Sequence, residues 1–149
     1  MSALNPAYSL VQLFFVRSVV ISIPEHKPES TEEINTENVI DVRRDEQDSK
    51  VFVCSMRSST NIERKPTYPY HIDMEAVCSL RQIDDTLDDA LALRGATITA
   101  HSVLYGAIRE ATSWITSRQP WGQIQLGLSV LTTKAEAPGL GEDAEKASD

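Results

Sequence analysis

Apolar and polar positions alternate most regularly over residues 68–81. Tyr68, Tyr70, Ile72, Met74, Ala76, Cys78 and Leu80 interleave with Pro69, His71, Asp73, Glu75, Val77, Ser79 and Arg81. A period of two puts each row on its own face of a strand, so this stretch predicts an antiparallel sheet with one side on a core and the other mostly wet. Three strands precede it. Residues 10–23 are rich in strand formers (Phe14, Phe15, Val16, Val19, Val20, Ile21, Ile23), apolar on much of both faces and closed by Pro24. A polar connection over residues 24–38 leads to a second strand at 39–43. A turn of solvent-preferring residues at 45–49 follows. The third strand, 50–58, places Phe52, Cys54 and Met56 on one face.

The period changes within residues 98–131. Leu104, Ala107, Ile108, Ala111 and Ile115 recur at the spacing of one helical face, and Val103 and Trp114 widen the stripe. So broad a band has two surfaces to bury, one against the chain's own sheet and one against a second copy. Val103, Ala107, Ala111 and Trp114 are the interface candidates. Residues 83–94 read as an acidic bridge with one or two helical turns through Leu87 and Leu91, ended by Gly95. Thr97 or Thr99 would then cap the main helix. After Pro120 the pattern is apolar but irregular, with Gly122 and Gly127 interrupting Trp121, Ile124, Leu126 and Leu128. The expected class is α+β: a four-stranded antiparallel sheet, a long C-terminal helix packed on one face, then an apolar crossover segment. Residues 1–133 form the expected domain, and 134–149 an acidic, disordered tail.

Composition narrows the function. The chain has 149 residues, 41% of them hydrophobic and 24% charged, which suits one domain with a real core. A net charge of -8 argues against nucleic acid as a partner, because no phosphate-neutralising surface is expected. Residues 10–23 are interrupted by Gln12, Arg17, Ser18 and Ser22 and fall short of the about 18 apolar residues of a membrane span. They also lack the basic start and small-residue cleavage site of a signal peptide, so no membrane is expected and the expected location is cytoplasmic.

Cys54 and Cys78 read as small buried hydrophobes, without the ligand spacing of a zinc site. Asp84, Asp85, Asp88 and Asp89 lack the glycine and terminal glutamate of a calcium loop and read as a solvated face. His26, His71 and His101 are scattered. Cys78 and His101 could meet as nucleophile and base, but no supporting motif accompanies them and no phosphate-binding loop is present. The expectation is no enzyme, no cofactor and no metal.

Val103-Leu104-Tyr105 with Arg109-Glu110, followed by Ser117-Arg118, Trp121, Ile124 and Leu126, resembles the helix and crossover of the SecB family of bacterial protein-export chaperones. Phe15-Val16-Arg17, then Pro24, is similar to that family's first strand, so the resemblance covers most of the chain. It implies a homo-tetramer, a dimer of dimers with its long helices at the dimer–dimer interface. Such a tetramer holds unfolded client polypeptides in apolar grooves without ATP. Tyr105, Trp121, Ile124, Leu126 and Leu128 would line the groove here. Burying client side chains there would contribute roughly 25 cal/mol per Å² of apolar surface, with little sequence preference. The family docks on the translocase ATPase SecA through acidic positions of its solvent-facing sheet. The matching residues here are Ser18, Ser22 and His71, which weakens electrostatic docking and the expectation of that partner. The family's second helix is expected to be missing or very short after Leu131. Some members serve dedicated clients, notably antitoxins. The alternative is an assembly subunit whose crossover is a permanent protein–protein interface.

Overall fold

The alternating row at residues 70–82 becomes the heart of the sheet. A computed structural model describes residues 5–29 and 35–131. The tail expected at 134–149 lies outside the described residues. The elements are β1 (Tyr8–Ser22), β2 (Thr36–Arg44), β3 (Val51–Thr60), β4 (Tyr70–Gln82) and α1 (Asp89–Thr116). The strands pair antiparallel in the order β1-β4-β3-β2, with α1 against one face. The expected α+β architecture is therefore present.

Tyr70, Ile72, Met74, Ala76, Cys78 and Leu80 are all buried on the helix side of β4, joined by Phe52, Cys54 and Met56 of β3. The helix contributes Ala92, Ala96, Ala100, Leu104 and Ile108, one residue every turn. Three alanines in succession let the first half of the helix approach the sheet closely.

β1 carries the longest apolar run yet forms an edge. Its register skips Val11 and Val16, two bulges that leave both side chains more than half exposed. The bulge at Val16 also turns the strand over. Arg17 pairs with Glu75 on the open face, while Ser18 pairs with Met74 and Ser22 with Tyr70 in the helix-side rows. Ser18 and Ser22 therefore do not stand on the sheet face away from the helix, where the resemblance put them; His71, opposite Ile21, does, but that face is drier than expected, with His71 buried 3.0 Å from Asn61 O and Asp73 buried beside it.

The helix also begins earlier than its pattern suggests. Residues 89–116 form one helix of 28 residues, capped by Asp88, whose carboxylate accepts the Leu91 N–H at 2.8 Å. Gly95 does not end a separate helical turn, and Thr97 and Thr99 lie inside α1 rather than capping it. The glycine answers a packing need. The Tyr8 hydroxyl donates to Ala92 O at 2.6 Å, and a Cβ built at Gly95 would meet that hydroxyl at 2.5 Å. This hydrogen bond pins the start of the edge strand to the helix.

Glycine inside a helix costs about 1 kcal/mol relative to alanine, yet overpacking costs about 1–3 kcal/mol. Gly95→Ala should lower unfolding stability in urea by up to about 2 kcal/mol. In a Tyr8→Ala background the same change should become neutral or stabilising. An unchanged sign in both backgrounds would refute the close-approach explanation.

Candidate functional site

Beyond the helix the chain turns at Pro120 and runs back over the body through residues 122–131 without joining the sheet. Its attachments explain how an irregular segment holds one path. The Tyr70 hydroxyl donates to Gly122 O at 2.6 Å, Arg109 Nε to Leu126 O at 2.9 Å, and the Tyr105 hydroxyl to Gly127 O. The Ile124 N–H donates to Thr116 Oγ1 at 3.0 Å. At the near end, Trp121 Nε1 donates to Ile23 O at 2.9 Å and Gln119 Nε2 to Val20 O at 3.1 Å. At the far end, Ser129 Oγ accepts from Asn38 Nδ2 at 3.2 Å and lies 3.0 Å from His101 Nε2. Between Gly122 and Gly127 the body thus grips mainly backbone groups, the way a binding surface reads an extended peptide, while side chains of Gln119, Trp121 and Ser129 fix the two ends.

The five groove candidates separate by depth. Tyr105 and Leu126 are buried, Leu126 within the core cluster. Trp121 and Ile124 are half-buried and packed against that cluster. Leu128 is 88% exposed, and its neighbour Val130 is 83% exposed. A cavity of about 310 Å³ opens beside this end, between Ile40 and Met56 of the sheet, His101 and residues 129–131. A second, of about 540 Å³, lies against the C-terminal half of the helix, with Arg109, Trp114 and Gln123 on its walls. Among the interface candidates, Trp114 is 60% exposed, with the Arg118 guanidinium 3.9 Å above its ring. Val103, Ala107 and Ala111 are half-buried.

Nothing in the periodicity pointed to Tyr70, Asn38 or Thr116 as crossover anchors. Tyr70 reads as one more apolar strand position, and its hydroxyl shows its use only when Gly122 is brought beside it.

The open sheet face has its own charge arrangement. Asp73 receives Arg57 Nε at 2.9 Å and Nη2 at 2.8 Å, and Arg17 Nη1 at 3.3 Å. The Arg57 hydrogen bonds hold its carboxyl below the usual carboxylate range, against the opposing effect of burial. Among the described residues no group of His, Cys, Asp and Glu could hold a metal ion, and no helix is long and apolar enough to cross a membrane. Asp84 binds Thr86, Asp88 caps the helix, and Asp85 and Asp89 pair with Lys50 and Arg44. Cys78 faces Cys54 in the pairing of β3 and β4, while His101 faces Ser129.

No protein-family model and no curated protein matches the sequence. A solved structure does match in three dimensions: a SecB-like chaperone of Mycobacterium tuberculosis, in complex with a ChAD peptide from the HigA1 antitoxin. The likeness covers 85% of this chain and 94% of that one, with a TM-score of 0.64 and 18% sequence identity. The chain has a SecB-like fold. A Streptococcus agalactiae protein of unknown function shows a weaker likeness, at a TM-score of 0.46 and 12% identity over 81% of this chain and 97% of that one.

Within this fold the far-end anchor should respond to pH. Burial lowers the His101 pKa below its ordinary value. The unfolded chain then binds the proton more readily, so stability falls as pH drops through about 6.5 and levels off below the folded value. Urea unfolding at pH 7.5 and at pH 5.5 should show that loss. The difference should shrink in His101→Gln, which keeps a polar partner for Ser129. An identical pH dependence in wild type and variant would rule out His101 as its source.

Proposed function

We propose that this protein is an ATP-independent holding chaperone that takes non-native polypeptide on the surface of its crossover segment. The observation that carries this reading is the contrast along that segment. Its backbone is tied down from Gly122 to Gly127, yet Leu128 and Val130 stand almost fully in solvent beside a cavity. A soluble fold rarely fixes neighbouring branched residues outward unless something is to cover them. An extended client would lay apolar side chains against Leu128, Val130 and the exposed edges of Trp121 and Ile124. Tyr105 and Leu126 serve as the floor that positions them. The SecB-like fold supports a chaperone role, and the antitoxin peptide in complex with the M. tuberculosis protein supports a polypeptide client.

The reading includes self-assembly. β1 leaves Leu10, Val11, Phe14 and Val16 exposed on an unpaired edge, and α1 leaves Leu91, Ile98 and Trp114 exposed. An apolar edge strand of this length needs cover, and a second copy supplies it by strand pairing. A tetramer would use both the edge and the helix face. Docking on SecA through carboxylates is not part of the proposal, since the Asp73 carboxylate on the open face already binds two arginines.

The experiment is aggregation of an unfolded model protein diluted with and without this chain, in the absence of nucleotide, followed by light scattering. Wild type should suppress scattering. Leu128→Asp with Val130→Asp should weaken suppression at least tenfold, about 1.4 kcal/mol or more, which loss of one or two apolar contacts would cause. Both residues are exposed, so the unfolding midpoint should not move. Trp121→Asp should also weaken suppression, with some loss of stability because Trp121 holds Ile23 O. No suppression by wild type with several unrelated clients would reject general holding and favour an assembly subunit.

A further inference from the structure

Cys54 and Cys78 stand directly opposite each other on β3 and β4, on the side that faces the helix. Both are free thiols, and neither has any exposed surface. The chaperone reading uses neither. The Gln82 N–H donates to Lys50 O, so by the alternation of the ladder Cys54 and Cys78 are a hydrogen-bonded pair, with Cα atoms about 5.5 Å apart, inside the roughly 4.4–6.8 Å that a disulfide accepts. The pair therefore meets the Cα spacing of a disulfide, while its Cβ atoms, about 4.5–5.5 Å apart in such pairs, must draw together to reach the roughly 3.5–4.5 Å of the bond.

We propose that Cys54 and Cys78 form a disulfide site, oxidised to one intramolecular cross-strand bond by a low-molecular-mass disulfide such as oxidised glutathione. One cysteine thiolate attacks the small disulfide, forms a mixed disulfide and expels one small thiol. The second cysteine thiolate attacks the protein sulfur of that intermediate and expels the other. Two protein thiols and one small disulfide become one protein disulfide and two small thiols, and the two thiol protons pass to the departing thiolates. The oxidant must first reach the sulfurs, so the reaction runs through opening of the helix–sheet interface. Burial that slows oxidation also shields the finished bond from reductant. The bond would lock the two central strands, which form the floor beneath α1, without touching the residues offered to clients.

The test uses the full chain with oxidised glutathione, without urea and at urea concentrations approaching the unfolding transition. Alkylation of remaining thiols and intact mass follow the reaction. Both thiols should disappear together, with a mass loss of two hydrogens and no dimer on a non-reducing gel. Peptide mapping should find Cys54 joined to Cys78. Oxidation should be at least about tenfold faster near the transition than without urea, as gating by opening requires. The oxidised protein should unfold at higher urea than the reduced protein. Cys78→Ala should instead gain one glutathione on Cys54, which shows that the partner thiol resolves the intermediate. A stable mixed disulfide on wild type, an intermolecular dimer, two unreacted thiols near the transition, or a lower unfolding midpoint after oxidation would each overturn the proposal. None of these outcomes depends on the aggregation assay.

Discussion

The close seating of α1 on β3 and β4 is the constraint on which the rest of the molecule depends. Ala92, Ala96 and Ala100 give the first half of the helix a nearly flat underside. Gly95 opens the same half to Tyr8, which ties the edge strand in. The second half carries Leu104, Tyr105 and Ile108, and it is from here that Tyr105 and Arg109 reach the crossover. A helix that rode higher would leave those donors out of reach of the carbonyls they hold. The crossover's path is thus a consequence of small side chains some turns away from it.

Much of the fold was legible because it rests on local periodicity. The period of two over residues 70–82 and the helical spacing after Val103 needed no long-range information. The start of the helix did, because a glycine that ends a helix and a glycine that admits a neighbouring ring look the same in sequence. Only Tyr8, 87 residues away along the chain, separates the two meanings. The bulges at Val11 and Val16 left no mark in the apolar run either, yet one of them decides which way Ser18 points.

The candidate site was readable by composition and not by depth. Tyr105, Trp121, Ile124, Leu126 and Leu128 belong to one continuous structure, but an apolar residue in an irregular segment carries no periodic signal to say whether it faces in or out. Leu126 and Leu128 are two positions apart and would share a face in a regular strand. Gly127, whose carbonyl Tyr105 holds, separates a buried leucine from an exposed one. The polar anchors were invisible for a different reason, since each is half of a long-range pair.

That grip on the backbone has an evolutionary consequence. Tyr70, Arg109 and Tyr105 hold carbonyl oxygens, which every residue possesses, so the path of the crossover is not encoded in most of its own side chains. Outward positions such as 125, 128 and 130 can drift freely while the ribbon that displays them stays where it is. Under the proposed holding role, selection for a new client would therefore rewrite the contact surface one residue at a time, with no change in the scaffold. A fold organised in this way would keep its shape among descendants whose sequences no longer recognise one another.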